Sequence, residues 1–326
     1  MKILHITNLY PSAKLPDYGV FVKEQIESLN GLDMFENDIY HIDVETGGAT
    51  AYFKAIRDLR SLKKKYDVYH SHHIFSGLVC ILAGFRSKLV VSYLSNGYDV
   101  GEKLKFFGPI IYFIVSFFGK ALITKLPRSN SIFAKKFYYI PNGVDEEIFQ
   151  CVDKLAARKK LGISSKALVL LFVSSKSIDR PEKRKDLFDN LIKYLSNSDR
   201  LNAVEIRPIY LCNVSREDIP VYFNSADVHL LLSDREGSPN SVKEALSCGC
   251  PVLARSVGDV SNLLDQVPNC DLVDIDNLLT KDTIERISYL GKLTPEKRMD
   301  IRRVFLKKSI TKKKVMRKIE EVYRNI

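Results

Sequence analysis

The sequence predicts an α/β fold made of two doubly wound parallel sheets in tandem, and three observations predict it. Short apolar runs of strand character alternate with helical patterns almost throughout, as parallel strands joined by crossover helices require. The alternation restarts after a turn cluster at Pro141, Asn142 and Gly143. The chain has 326 residues, 45% of them hydrophobic and 27% charged, which suits two cores of ordinary globular composition.

In order, "KILHIT" reads as the first strand and "GVFVKEQIESL" as the helix after it, with Val20, Val22 and Ile26 at mixed helical spacing. "DIYHIDV" follows as a strand, then the helical "AYFKAIRDLRSLKKK", then the strands "YDVYHSH", "KLVVSYL" and "ALIT". Beyond residue 142 the strands "ALVLLFVSS", "VEIRPIYL", "DVHLLLS" and "PVLARS" are each separated by a helical stretch. No repeat of fixed period is present. The expected division is a first domain over 1–141, a second over 142–306 and a terminal helix over 307–326.

Composition excludes several classes. The six cysteines are scattered, and the one close pair, Cys248 and Cys250, has neither thioredoxin nor zinc spacing. They read as reduced cytosolic thiols, most of them buried. "MKILHIT" runs straight into a strand pattern, so no secretory signal is expected and the location is expected to be cytoplasmic. Net charge is +11, and from Lys292 onward 13 Lys or Arg stand against 4 Asp or Glu. That run reads either as a solvated helix face or as a basic helix near acidic lipid. Nucleic acid is not expected, because no aromatic interleaving or binding motif accompanies the charge. The uncharged run "FFGPIIYFIVSFFG", Phe106 to Gly119, has 14 residues, short of the roughly 20 that cross a bilayer. It fits a buried core helix or one lying in an interface, and no integral membrane protein is expected.

The chemistry concentrates in "EGSPNSVKEA", Glu236 to Ala245. "DVHLLLS" ends a buried strand, "NSVKEALSC" places Val242, Ala245 and Leu246 at helical spacing, and Gly249 suits the position past the helix end. The stretch therefore enters a helix from the carboxyl end of a parallel strand, where open α/β sheets bind ligands. Ser238 is expected to cap that helix, with Pro239 at its first position. The amides of Asn240 and Ser241 then form an anion site suited to phosphate. Glu244, roughly 7 Å along the axis, would accept hydrogen bonds from a pair of ribose hydroxyls. Glu236 would face whatever lies beyond the phosphate. Nucleotide, diphosphate and sugar fit this order.

"DVHLLLSDREGSPNSVKEALSCGCPVLARSVGDV" resembles the donor site of retaining glycosyltransferases of the family 4 type. "ITNLYPSAKLPDYGVFVKEQ", "DVYHSHH" and "YYIPNGVDEEIF" resemble, in the right order, their glycine-bearing loop, histidine-ending strand and interdomain link. The resemblance implies the GT-B fold, two Rossmann-like domains facing a cleft, with the final helix packing back toward the first domain. It implies Glu236 on the donor sugar, Glu244 on the ribose and the diphosphate on Gly237, Ser238, Pro239, Asn240 and Ser241. Gly19 belongs to the glycine-bearing loop and joins the donor contacts.

Two departures mark this chain. The family's arginine and lysine after the first strand of the donor domain offset the leaving diphosphate; here the segment reads "FVSSKSIDRPEKRKDLF". Lys183 aligns with the lysine, ahead of Lys185, and Lys176 or Arg180 replaces the arginine, with Lys176 preferred. In "VVSYLSNGYDV", Asn96 stands in the place of a histidine; it exchanges hydrogen bonds but cannot titrate. His72 and His73 are candidates to compensate.

The implied function is transfer of a sugar from a nucleotide-sugar donor to a hydroxyl acceptor with retention. The implied acceptor is a surface glycan or lipid-linked acceptor, with peripheral contact to acidic membrane at its inner face. No cofactor or metal is expected, since lysines and a helix dipole can carry the diphosphate charge. A nucleotide-sugar epimerase, a sugar-phosphate synthase, or a non-catalytic partner of another transferase fits the same cradle.

Overall fold

The computed structural model describes residues 1–12, 18–31, 34–63, 65–93, 106–126, 133–174 and 177–326. It divides into two compact units, Met1–Asn142 with Lys313–Ile326, and Gly143–Lys312.

The first unit holds the strands β1 (Lys2–Thr7), β2 (Glu36–His41), β3 (Val68–Ser71), β4 (Leu89–Tyr93), β5 (Ala121–Thr124) and β6 (Phe137–Tyr139). They pair in parallel in the order β2-β1-β3-β4-β5-β6. Its crossover helices are α1 (Val20–Asn30), α2 (Val44–Gly47), α3 (Thr50–Arg60), α4 (Ile74–Leu82) and α5 (Gly108–Phe118). The central strands are buried on both faces, as parallel strands between helix layers must be. Leu4, Tyr69, Val91 and Leu122 point to one face, with Leu59 of α3, Val79 of α4 and Val115 of α5. Ile3, Val68, Val90 and Ile123 point to the other.

The second unit holds α6 (Lys154–Lys160), β7 (Leu168–Val173), α7 (Lys185–Ser196), β8 (Ile206–Leu211), α8 (Ile219–Ser225), β9 (Val228–Leu231), α9 (Asn240–Ser247), β10 (Val252–Ala254), α10 (Val260–Leu264), β11 (Asp271–Leu272), α11 (Lys281–Gly291) and α12 (Pro295–Leu306). Its strands are parallel in the order β11-β10-β9-β7-β8. Buried Asp227 ties this sheet at its base, accepting from Arg158 at 2.6 Å, Lys154 at 2.9 Å and the Val169 amide at 2.7 Å. The satisfied carboxylate explains how three charges sit at the amino ends of the central strands with little solvent.

Both sheets reverse their winding beside their first strand, between β1 and β3 and between β7 and β9. At such a reversal the outgoing loops part and leave a crevice at the carboxyl ends of the strands. The site below is built at the second of these.

The chain returns to the first unit at Lys313, on α13 (Lys312–Arg324). Val315, Met316, Ile319, Val322 and Tyr323 bury one face of α13 against Ile3, Val68, Val90 and Ile123, each side chain stabilising the unit by roughly 1.5–3 kcal/mol. The terminal lysines are thus in part the outer face of a packed helix. The tail does not lie beside the 106–119 run. α5 packs on the opposite face of the same sheet. Nor is that run a fully buried helix: Tyr112 and Val115 are covered, while Phe106, Phe107, Ile110, Phe113 and Phe117 each expose more than half their surface.

Candidate active site

The site grows from the ends of β7 and β9. Past β9 the chain stays buried through Ser233, and Arg255 holds it there by donating to the Leu232 and Ser233 carbonyls at 3.2 and 3.1 Å and to Asp234 at 2.5 Å. The Asp234 amide donates to the Glu182 carbonyl at 2.9 Å, joining this exit to the tight turn Pro181–Lys183 that follows β7. The junction brings Lys183 Nζ to Glu236 Oε1 at 2.7 Å. Both side chains are largely but not fully covered, at 15% and 14% exposure. A pair at that depth keeps its attraction and still opens to an incoming ligand.

From Glu236 the chain turns into α9. Gly258, at φ +61, lets the neighbouring turn press against this loop: a Cβ there would stand 2.3 Å from the Gly237 carbonyl. Pro239 occupies the cap position and no side chain caps the helix. The expectation that Ser238 is the cap is therefore corrected. Its hydroxyl instead donates to Asp259 Oδ2 at 2.5 Å and accepts from Lys243 Nζ at 2.8 Å. Charged partners outcompete a backbone amide. The first-turn amides, those of Asn240 and Ser241 included, have no acceptor within their own helix, and the dipole favours an anion before them.

Two further contacts shape this start. His229 on β9 meets the Leu171 carbonyl with Nδ1 at 3.1 Å, so Nε2 accepts from the Ser241 hydroxyl at 3.1 Å. Burial lowers His229 to about 4, and the ring stays neutral. One turn on, buried Glu244 accepts from Arg216 at 2.5 Å, and that guanidinium lies over the Phe149 ring. Each glutamate of the motif is held by a cation from another loop.

Residues 170–295, which hold every residue of these contacts except Phe149, match the family described as glycosyl transferases group 1. That match lies wholly within the second unit. An Escherichia coli UDP-Gal:alpha-D-GlcNAc-diphosphoundecaprenol alpha-1,3-galactosyltransferase is 23% identical over 290 residues, 76% of this chain and 73% of that protein. Among solved structures, sucrose-phosphate synthase from Thermosynechococcus elongatus superposes with a TM-score of 0.73 at 14% identity, over 100% of this chain and 99% of that one. Anabaena Alr3699/HepE in complex with UDP-glucose does so with a TM-score of 0.72 at 16% identity, over 100% of both. The shared fold is of the GT-B class, and this chain has its two parallel-sheet units.

Within the matched residues, Glu236, Lys183, Gly237, Ser238, Pro239, Asn240, Ser241 and Glu244 lie on the loops around the start of α9. Lys185 turns away, pairing with Asp189 at 2.7 Å and covering Tyr210. Arg180 pairs with Glu182. Asn96 and Lys176 lie outside the described residues. Gly19 belongs to the first unit, where it precedes α1 at φ +73 so close to Leu9 that a Cβ would stand 2.4 Å from its carbonyl. The positive φ and that close approach both call for glycine there.

The histidine candidates take structural positions. His72 is buried against His5, their ring nitrogens 2.9 Å apart, and His73 caps α4 through the Phe75 amide. His70, beside them, bridges Tyr323 of α13 at 2.6 Å and Ser92 at 2.8 Å. His5, His70 and His72 have ring nitrogens within 4.8 Å of one another; Tyr323 and Ser92 engage both nitrogens of His70, and Asn37 engages Nε2 of His5. The triplet Asp274-Ile275-Asp276, an Asp-x-Asp pattern that sequence reading passed over, closes its own exposed turn through Asp274 and the Asp276 amide. Sequence reading also missed Arg216, Lys243, Arg255 and Asp259. The charge of Lys243 in the apolar row Val242–Leu246 was the one local signal.

Proposed function

We propose that the chain is a retaining glycosyltransferase of the family 4 type that moves a hexose from a UDP-sugar to a hydroxyl of a lipid-linked or surface glycan. The pairing of Lys183 with Glu236 beside the start of α9 carries this reading. A diphosphate seated on the α9 amides recruits Lys183 by charge, which releases Glu236 to accept hydrogen bonds from the donor sugar. Glu244 takes the ribose hydroxyls in exchange for Arg216. As transfer proceeds, the acceptor oxygen bonds to the anomeric carbon while the bond from that carbon to the diphosphate oxygen breaks. The diphosphate takes the acceptor proton on the same face, which retains configuration. Lys183 and the helix start stabilise the charge that builds on the leaving group.

The donor and acceptor classes are drawn from the E. coli relative, whose acceptor is a diphosphoundecaprenol glycan, and from the UDP-glucose complex of HepE. α5 supports a lipid-borne acceptor. Its exposed Ile110, Phe113 and Phe117, with Phe106 just before it, recur at helical spacing and form one apolar stripe. Cations flank it: Lys136 donates to the Phe117 and Gly119 carbonyls, and Arg86 stacks on Phe118. An apolar stripe edged by cations suits the interface of an anionic bilayer. No helix among the described residues is long and apolar enough to cross one.

The test is incubation of the pure chain with a panel of labelled nucleotide sugars, with and without membrane extract. Label passing to an extractable acceptor, with release of nucleoside diphosphate, is expected only with extract. Altered sugar without acceptor would point to an epimerase, and no turnover with any donor would point to a non-catalytic partner.

A further inference from the structure

Lys243 is a buried cation of the donor site that the chemistry above leaves unused. It is fully buried on α9, next to Glu244, with Nζ 2.8 Å from Ser238 Oγ and 3.4 Å from Asn240 Oδ1. The Ser238 hydroxyl donates to Asp259 Oδ2 at 2.5 Å, so a serine bridges a buried ammonium and a buried carboxylate. The Asp259 amide donates to the Gly237 carbonyl at 3.0 Å. The turn from Gly237 to Asn240 is thus held from beneath at three points, and Lys243 serves two of them.

We propose that Lys243 is a positioning residue for the donor: its ammonium fixes the Gly237–Asn240 turn in the shape that receives a diphosphate and adds a buried positive charge behind the α9 amides. The proposal rests on reading the α9 start as the diphosphate seat. Burying an ammonium is costly unless its charge is matched. Here Asp259 matches it, and the oxygen between them belongs to the loop. By orienting Asn240 Oδ1 inward, the ammonium turns the amide nitrogen of that side chain the other way, as a donor. The methionine variant would keep the stem and lose both contacts.

The charge also gives a signature that packing alone would not. Burial lowers Lys243 to about 8 against the pull of Asp259 before α10, Glu244 on α9 and Glu236 after β9. Lys183 and Arg216 neutralise those two glutamates, and His229 faces the same helix start from β9 as a neutral ring. A bound dianion favours the protonated amine, so affinity for the diphosphate is high below that pH and falls as pH rises through it.

Calorimetric titration of the full chain with UDP, from about pH 7 to about pH 9, tests this. Wild type is expected to weaken about tenfold across the range, the equivalent of one pKa unit. Lys243→Met is expected to bind about tenfold more weakly at pH 7 and to show little slope, while Glu244→Ala binds more weakly yet keeps the slope. UDP binding that is flat with pH in wild type overturns the proposal, even if the methionine variant does not fold. So does a methionine variant that binds like wild type. Absence of UDP binding to wild type, or binding indifferent to Glu244→Ala, overturns instead the reading of the donor seat.

Discussion

Lys183 Nζ stands 2.7 Å from Glu236 Oε1, and the pair joins the exits of β7 and β9, the strands at which the second sheet reverses its order. The position matters as much as the distance. Only at a reversal do adjacent loops leave in opposite directions, so a cation from one and a carboxylate from the other share a crevice with a helix start.

Replacing Lys183 by alanine is expected to lower kcat by about 10²- to 10³-fold, the scale for removing one charge stabiliser of a transition state, with a smaller effect on donor affinity. Lys185→Ala is expected to leave kcat near wild type, since that side chain pairs with Asp189. Steady-state kinetics of the two variants checks both. A large loss at Lys185 with none at Lys183 would reverse the assignment.

Glu244→Ala is expected to weaken UDP binding by about 1–3 kcal/mol, the value of hydrogen bonds to a charged acceptor. The geometry that motivates it is a buried carboxylate one turn inside α9 whose present partner, Arg216, is itself partly exposed and able to leave. Calorimetry that shows unchanged affinity contradicts the ribose role.

Stability is expected to fall on mild acidification. His5 and His229 are lowered to about 4, and His70 and His72 also lie well below the ordinary 6.5, chiefly because burial disfavours the charged ring. Between those values the unfolded chain binds more protons than the folded one. Stabilisation is therefore complete above about pH 6.5 and is lost as pH drops toward 4. From pH 6.5 to pH 5 each of His5 and His229 contributes on the order of 2 kcal/mol of this loss. Urea midpoints at pH 7 and pH 5 measure it; a midpoint that holds or rises at pH 5 contradicts the neutral cluster.

Much of this was legible in residue order. The strand runs of both sheets and the helix between the two glutamates follow from periodicity and turn chemistry, which act within a few residues. What escaped is non-local. Ser238 before Pro239 reads as a helix cap until Asp259, 21 residues on, accepts its hydroxyl hydrogen bond. Lys243 offers only a charge beside apolar neighbours until the same carboxylate is brought beneath it. The Phe106–Gly119 run is apolar on every side, so its pattern cannot say which face is covered. Which face of a sheet a distant helix takes is likewise set by crossovers and not by its own sequence, and this put α13 opposite α5.

Sedimentation with vesicles tests the role of the α5 stripe. Binding is expected to anionic but not neutral lipid, to weaken as salt rises because screening shortens the attraction, and to drop when Ile110 and Phe113 become serine. Both side chains are more than half exposed, so the fold should survive the change. Equal sedimentation with both lipids, or with neither, removes the stripe from the account.

The most direct measurement is the anomeric configuration of the transferred sugar. A nucleotide sugar labelled at its anomeric carbon is given to the chain with a lipid extract, and the product linkage is read by NMR beside the nucleoside diphosphate released. The account predicts one diphosphate per sugar transferred, the donor's configuration kept, and both signals lost together in Lys183→Ala. An inverted linkage, or turnover unaffected by that substitution, would contradict it.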